Sequence, residues 1–264
     1  MIRKHQPKKI IIVLLLAFLS LNGQAQDSQI ILSFENAFGE EPMQLKKEFE
    51  NTHGEKVSFS LFNYFISNIQ FTRKDGSKYV VPQDSSYFLI KESDPNSQDI
   101  TLAVPKGKYK SLSFTIGIDS LRSTQGPDKR QGVLDVGADA RGMYWAWNSG
   151  YIFLKMEGKS PASPDSLRNN FYYHIGGYGG FDQKTLNNIR TKSFEFRKPL
   201  TATPKAITVA TIRVNTKQFF EGPIPLKVGE HPSVMWGPVS TQIADAYVRI
   251  FSLIGVSYQD NRGD

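Results

Sequence analysis

Apolar and polar residues alternate with a period of two through most of the chain, the pattern of half-buried strands. In KVSFSLF (56–62), Val57, Phe59 and Leu61 share a face. YFISNIQFTRK (64–74) runs into Asp75-Gly76 and resumes as SKYVVP. That is a hairpin signal, because an Asp-Gly pair supplies the positive φ angles of a tight two-residue turn. SYFLIK (86–91), DITLAV (99–104) and KSLSFTIGI (110–118) follow at short spacing, with Leu112, Phe114, Ile116 and Ile118 on one face. Further along come GMYWAWNSGYIFLKMEG (142–158), NFYYHI (170–175), KSFEF (192–196) and AITVATIRV (206–214). In the last of these the apolar phase changes from Ile207 and Val209 to Ala210, Ile212 and Val214, which predicts a bulge.

Helical periodicity is convincing only near the C-terminus. Ser240 or Thr241 is placed to cap a helix in which Ile243, Tyr247, Ile250, Phe251 and Ile254 recur at helical spacing before Gly255. About ten short strands separated by turn signals predict an all-β fold. The expectation is a single antiparallel β-sandwich over about residues 27–239, closed by one short C-terminal helix at 240–254. Polar SPASPDS (160–166) reads as a long hairpin loop within one domain, residues 26–264, because strands resume on both sides of it.

Within 143–157, one extended strand is expected, with Ile152, Leu154 and Met156 on its buried face. Trp145 and Trp147 then align with Tyr151 and Phe153. Large aromatics serve burial first, so both indoles are expected to be at least partly buried beside the HIGG loop. An exposed aromatic platform for a sugar or peptide is the competing use.

The N-terminus alters the charge picture. Arg3, Lys4, Lys8 and Lys9 precede the apolar run 10–21 and then NGQAQ, the pattern of a cleavable secretory signal over residues 1–25. No cysteine follows the apolar run, so there is no lipobox, and the expected location is periplasmic or secreted. The chain has 32 Lys+Arg against 25 Asp+Glu; removing the four cations of the signal leaves 28 against 25, with no basic stripe to suggest a nucleic-acid partner. The absence of cysteine excludes disulfides, thiolate metal sites and cysteine nucleophiles. No further segment reads as a membrane span.

Candidate chemistry is sparse. HIGGYGGFD (174–182) carries four glycines in five positions, but the following DQKTLNNIRTK has no apolar helical period. A phosphate-cradling loop needs that helix, so a tight turn beside His174 is expected instead. There is no GxSxG elbow, and no spacing singles out a carboxylate pair from Glu35, Asp119, Asp135 and Glu157. No enzymatic activity is expected. Beyond the signal, histidine occurs at His53, His174 and His231. His53 sits in a polar turn and is expected to face solvent. His174 alternates against Phe171, Tyr173 and Ile175, so it shares its strand face with Tyr172. A closed four-ligand zinc site lacks its donors. A copper site of lower coordination, pairing imidazole with a thioether or another nitrogen, is compatible.

Taken together, ISNIQF (66–71), VPKGKYKSLSFTIGIDSLRS (104–123), GMYWAWNSGYIFLKMEG and YHIGG (173–177) resemble the MbnP-like family. These are secreted proteins related to copper-binding partners of methanobactin systems and to surface copper proteins of methane-oxidising bacteria. The similarity spans residues 29 to about 255. It implies a β-sandwich with a mononuclear copper site, in which two histidines join a nitrogen from kynurenine, an oxidised tryptophan. It also implies a tryptophan-oxidising haem enzyme as partner. On this resemblance the metal ligands fall on His174, His231 and Trp147, or Trp145 in its place. Met235, four residues after His231, is a soft addition, and His174 and His231 are expected to approach each other. Some relatives place a histidine in the strand corresponding to YFISNIQF, where this chain has Ser67. The alternative is a non-catalytic aromatic-lined ligand-binding or structural surface module without the metal.

Overall fold

The structure, a computed structural model, describes residues 27–147, 150–222 and 226–260; the expected signal segment lies outside them. The strands are β1 (Asp27–Phe38), β2 (Glu41–Pro42), β3 (Glu48–Glu50), β4 (Lys56–Arg73), β5 (Lys78–Val80), β6 (Tyr87–Lys91), β7 (Asp99–Pro105) and β8 (Gly107–Ile116). After helix α1 (Ser120–Thr124) come β9 (Tyr144–Trp145), β10 (Gly150–Lys159), β11 (Asn170–Gly176), β12 (Arg190–Ala202), β13 (Ala206–Asn215) and β14 (Ser233–Val234). Helix α2 (Pro238–Ile250) leads directly into β15 (Phe251–Asp260).

Two sheets form the expected sandwich. One runs β15-β13-β1-β2, with β7 also paired to β1. The other runs β12-β8-β4-β10-β11-β14, with β3, β5 and β6 on β4 and β9 on β10. Phe34 of the first sheet meets Tyr64 and Phe114 of the second edge-on, with ring centroids 6.2 and 5.9 Å apart. These are favoured aromatic geometries, and they lie in the main core, where Ile243, Ala244, Tyr247 and Ile250 of α2 also pack. The Asp75-Gly76 hairpin is present between β4 and β5: Gly76 has φ +88°, and the Asp75 carboxylate accepts from the Ser77 amide at 2.9 Å. Residues 160–169 form the expected loop between β10 and β11, closed by Ser160 N–H donating to Asn169 C=O.

Five expectations need correction. The sheets are mixed, because β1 pairs with β13 and β11 with β14 in parallel. The C-terminal helix ends at Ile250, and residues 251–260 add an edge strand to β13. Pairing with β13 there outweighs a helical spacing that would have left Phe251 as one more helical residue. The helix starts earlier as well: Gly237 caps it and Pro238 opens it, while Ser240 is buried inside with its hydroxyl donating to Gly237 C=O. Proline suits a first turn, where its missing N–H has no helical acceptor.

In β13 there is no change of phase. Thr208 is fully buried in line with Ala210, Ile212 and Val214, its hydroxyl satisfied by Thr201 C=O at 2.9 Å. The irregularity lies opposite, where Thr211 and Ile212 pair with Gly255 and Leu253, so that Ile254 is the extra residue. The aromatic stretch is likewise not one strand. It turns at Ala146-Trp147, and β9 folds back on β10 with Trp145 opposite Gly150 and Tyr144 opposite Tyr151.

β10 is buried on both faces at its first half. Leu154 and Met156 enter the main core, whereas Tyr151, Ile152 and Phe153 join a second cluster with Phe65, Ile118, Leu134, Met143 and Trp145. The segment from Gly117 to Trp145 therefore lies as a cover over the outer face of the second sheet. A bulge at Phe153, between the pairs Ile152–Gly176 and Leu154–Ile175, turns Ile152 outward into that cover rather than into the main core.

Gly117 makes this cover fit. Its φ is +112°, and a Cβ there would lie 2.6 Å from Phe153 Cγ. Gly117→Ala is expected to cost about 2 kcal/mol or more through strain and overpacking, read as a lower urea midpoint. An unchanged midpoint would show that the cover does not depend on this contact.

Candidate functional site

On β10 and β11, Lys155 stands opposite His174 and Glu157 opposite Tyr172. Opposed residues in an antiparallel pair share a face. Because Leu154 and Met156 point into the main core, these four side chains stand on the outer face, beside Asn63 and Leu61 of β4. Leu61, expected to share a face with Val57 and Phe59, is turned outward by a register shift at Ser60. His174 Nε2 donates to Glu157 Oε1 at 2.7 Å. Lys155 Nζ lies 3.3 Å from the same oxygen and donates to Gly142 C=O at 3.0 Å. The His174 side chain is only 12% exposed, with the Tyr172 ring edge-on at 6.2 Å.

The hydrogen bond from His174, reinforced by the Lys155 charge, holds the Glu157 carboxyl below its usual range against the opposing effect of burial. An ionised carboxylate only accepts, so the proton of neutral His174 sits on Nε2 and the lone pair on Nδ1. A carboxylate that fixes the tautomer of an imidazole in this way is the usual support of a histidine metal ligand.

Two residues further along β11, Gly176 continues the same outer face. A Cβ there would lie 2.8 Å from Trp145 Cζ3 and 2.5 Å from Tyr151 C=O, so the bare glycine lets the indole pack directly on the strand two residues from His174. The chain's three tryptophans meet at this spot. Trp145 and Trp147 have centroids 5.1 Å apart and planes tilted by 37°, and Trp236 stands edge-on to both at 6.1 and 5.8 Å. Their exposure is graded: 5% for Trp145, 37% for Trp236 and 64% for Trp147. Trp145 is thus buried beside the glycine loop as expected. Trp147, expected to be at least partly covered, is largely open.

β14 brings the segment after His231 to this edge. Tyr172 pairs with Ser233 and Tyr173 with Val234, so Met235 follows at the level of His174, 38% exposed. His231 stands four residues earlier, on the order of 10 Å back along the strand direction. It lines a separate apolar groove with Phe219, Leu226 and Val239. Asp245 and Arg249 line the same groove. The structure therefore brings His174, Met235 and the tryptophans to one edge of the sheet and leaves His231 elsewhere. His53 is held by Phe220 C=O at 2.8 Å and is half-buried rather than free in solvent.

Ser67 lies on the outer face but beneath the cover, fully buried, its hydroxyl donating to Gly117 C=O at 2.7 Å. It is four residues along β4 from Asn63, the residue level with Lys155. The described residues contain no group of three or more His, Asp or Glu arranged to hold a metal ion. Trp236, Glu157 and Lys155 were missing from the sequence-derived site. The period-two pattern does place Lys155 and Glu157 on one face, but their partner across the strand depends on register.

The MbnP family model matches residues 27–236. No curated protein matches the chain. Among solved structures, MbnP from Methylosinus trichosporium shares the fold, with TM-score 0.53 and 14% identity over 81% of this chain and 82% of that one.

Two outcomes follow from the geometry. Gly176→Ala should lift Trp145 off the strand, lowering the melting temperature and changing the near-ultraviolet circular dichroism of the indole cluster; an unaltered spectrum would contradict the packing. Because the folded Glu157 carboxyl titrates below its unfolded value, its contribution to stability is complete above about pH 4.3 and is lost as pH falls through the depressed folded value. The melting-temperature gap between wild type and Glu157→Gln should therefore be widest near neutrality and close in acid. A gap independent of pH would rule the ion pair out as its cause.

Proposed function

The chain belongs to the MbnP family, and on that premise we propose that it is an extracytoplasmic protein binding a single copper ion on the outer face of β10 and β11, with His174 as the anchoring ligand. The observation that carries this reading is the His174–Glu157 hydrogen bond, which presents Nδ1 as a donor beside a cluster of three indoles. The residues fit copper better than zinc. One imidazole, the Met235 thioether and an indole-derived nitrogen make a soft, low-coordinate set, whereas a closed zinc site asks for four hard or thiolate donors. Copper, when bound, would supply a redox-capable centre.

Trp147 is the residue we assign to oxidation, because its indole is the most open of the three. Addition of dioxygen across the indole C2–C3 bond by a tryptophan-oxidising haem enzyme would give N-formylkynurenine. Hydrolysis with release of formate would then leave kynurenine, whose aniline-type nitrogen is a further donor. Glu157 holds the imidazole tautomer, and Lys155 ties that carboxylate to the Gly142 turn at the base of the tryptophan hairpin. His231 is too far along its segment to share an ion with His174 in this arrangement. The reading assigns no catalysis to the chain itself. It places the mature protein in the periplasm or outside the cell, from the signal-like residues 1–25.

Trp147 and Phe181, 64% and 71% exposed, favour the aromatic-lined binding module as the second reading. Trp145 is buried and the two indoles are not coplanar, so a flat sugar platform is not formed.

Copper titration against a competing chelator separates these readings. His174→Ala should abolish stoichiometric binding, and Trp147→Phe should weaken it relative to wild-type protein that carries the oxidised residue. His231→Ala should leave the stoichiometry at one. Undiminished binding by His174→Ala would remove the site from this face.

A further inference from the structure

Between the cover segment and the start of β6 lies a polar cleft of about 450 Å³, walled by Asp84, Tyr87, Arg122, Asp128, Lys129, Gln131 and the 132–134 turn. Its distinctive feature is Arg122. The side chain is 9% exposed, yet its counter-ion Asp84 is 88% exposed and reaches the guanidinium from the solvent side. The guanidinium is set in place from its other sides: it lies 4.9 Å over the Tyr87 ring and donates through Nη1 to Lys129 C=O at 3.2 Å. Tyr87 is itself fixed by donating to Asp119 at 2.6 Å. A nearly buried arginine is tolerated only when paired. Here the pairing group is a surface side chain able to swing away into water.

We propose that this cleft is a binding site for a small carboxylate-bearing molecule, with Arg122 as its carboxylate receptor and Asp84 as a built-in occupant that the ligand displaces. Arginine presents a fork of donors that matches a carboxylate in two-point contact. Asp84 already supplies one carboxylate contact of that fork, at Nη2. Lys129 adds a second positive charge at the rim, and Tyr87, Val133 and Leu134 give the ligand's body an apolar wall. The volume lies in the range of small-molecule sites. Exchange of one carboxylate for another keeps the buried charge paired throughout.

The test is a titration of the full chain with benzoate and with acetate at constant ionic strength, followed by amide chemical shifts and calorimetry. Benzoate should bind more tightly than acetate, with shifts concentrated at Asp84, Arg122, Lys129 and 131–134. Asp84→Asn removes the competing carboxylate while keeping its size, and should tighten benzoate binding at least five-fold. Arg122→Lys should weaken it by a similar factor. If the Arg122 variant fails to fold, the Asp84→Asn measurement decides alone. Shifts scattered over other surfaces, or an affinity that Asp84→Asn leaves unchanged or weakens, would overturn the proposal.

Discussion

The burial of β10 on both faces is the constraint on which the site depends. A sandwich strand normally gives one face to the core and one to water. Here Leu154 and Met156 fill the main core while Tyr151, Ile152 and Phe153 need a second cover. The chain meets that need with the segment 117–145. It is held by Phe153 against Gly117 and by the Tyr151 hydroxyl donating to Leu134 C=O at 2.8 Å. The cover ends in β9, which folds back on β10 and delivers Trp145 and Trp147 to the open half of the same face. The indoles are next to His174 because the apolar half of that strand had to be roofed.

Electrostatics then link the imidazole to the roof. Glu157 stands between His174 and Lys155, and Lys155 reaches on to Gly142. Partly exposed ion pairs add little to stability, so the value of this chain of contacts lies in orientation. It sets which imidazole nitrogen carries the proton and fixes the base of the tryptophan hairpin to the strand that holds the histidine.

The likeness to MbnP of Methylosinus trichosporium, at 14% identity, concerns the fold. A fold hosts many functions. Copper binding, as proposed, depends on the donors and their support on this one sheet face. The Arg122 cleft, between the same cover and β6, uses the same segment for different chemistry: the turn whose Leu134 carbonyl receives Tyr151 also walls the cleft.

Much of this was legible in the sequence. Alternation marked the strands, Asp75-Gly76 the hairpin and 160–166 a loop, since each depends on neighbours within a few residues. The quoted segments, ISNIQF through YHIGG, also carried the family likeness. Register was not legible. That Lys155 faces His174, that Met235 rather than His231 comes level with it, and that Trp236 joins Trp145 and Trp147 are consequences of pairings between residues far apart in the chain. The same holds for Thr208, buried as a polar residue because Thr201 C=O receives its hydroxyl, and for 251–254, whose helical spacing yields to an edge strand beside β13. Local pattern sets which conformations a segment can adopt. Only the closing of the two sheets decides which face, which partner and which level each side chain takes, because those energies arise between segments and not within them.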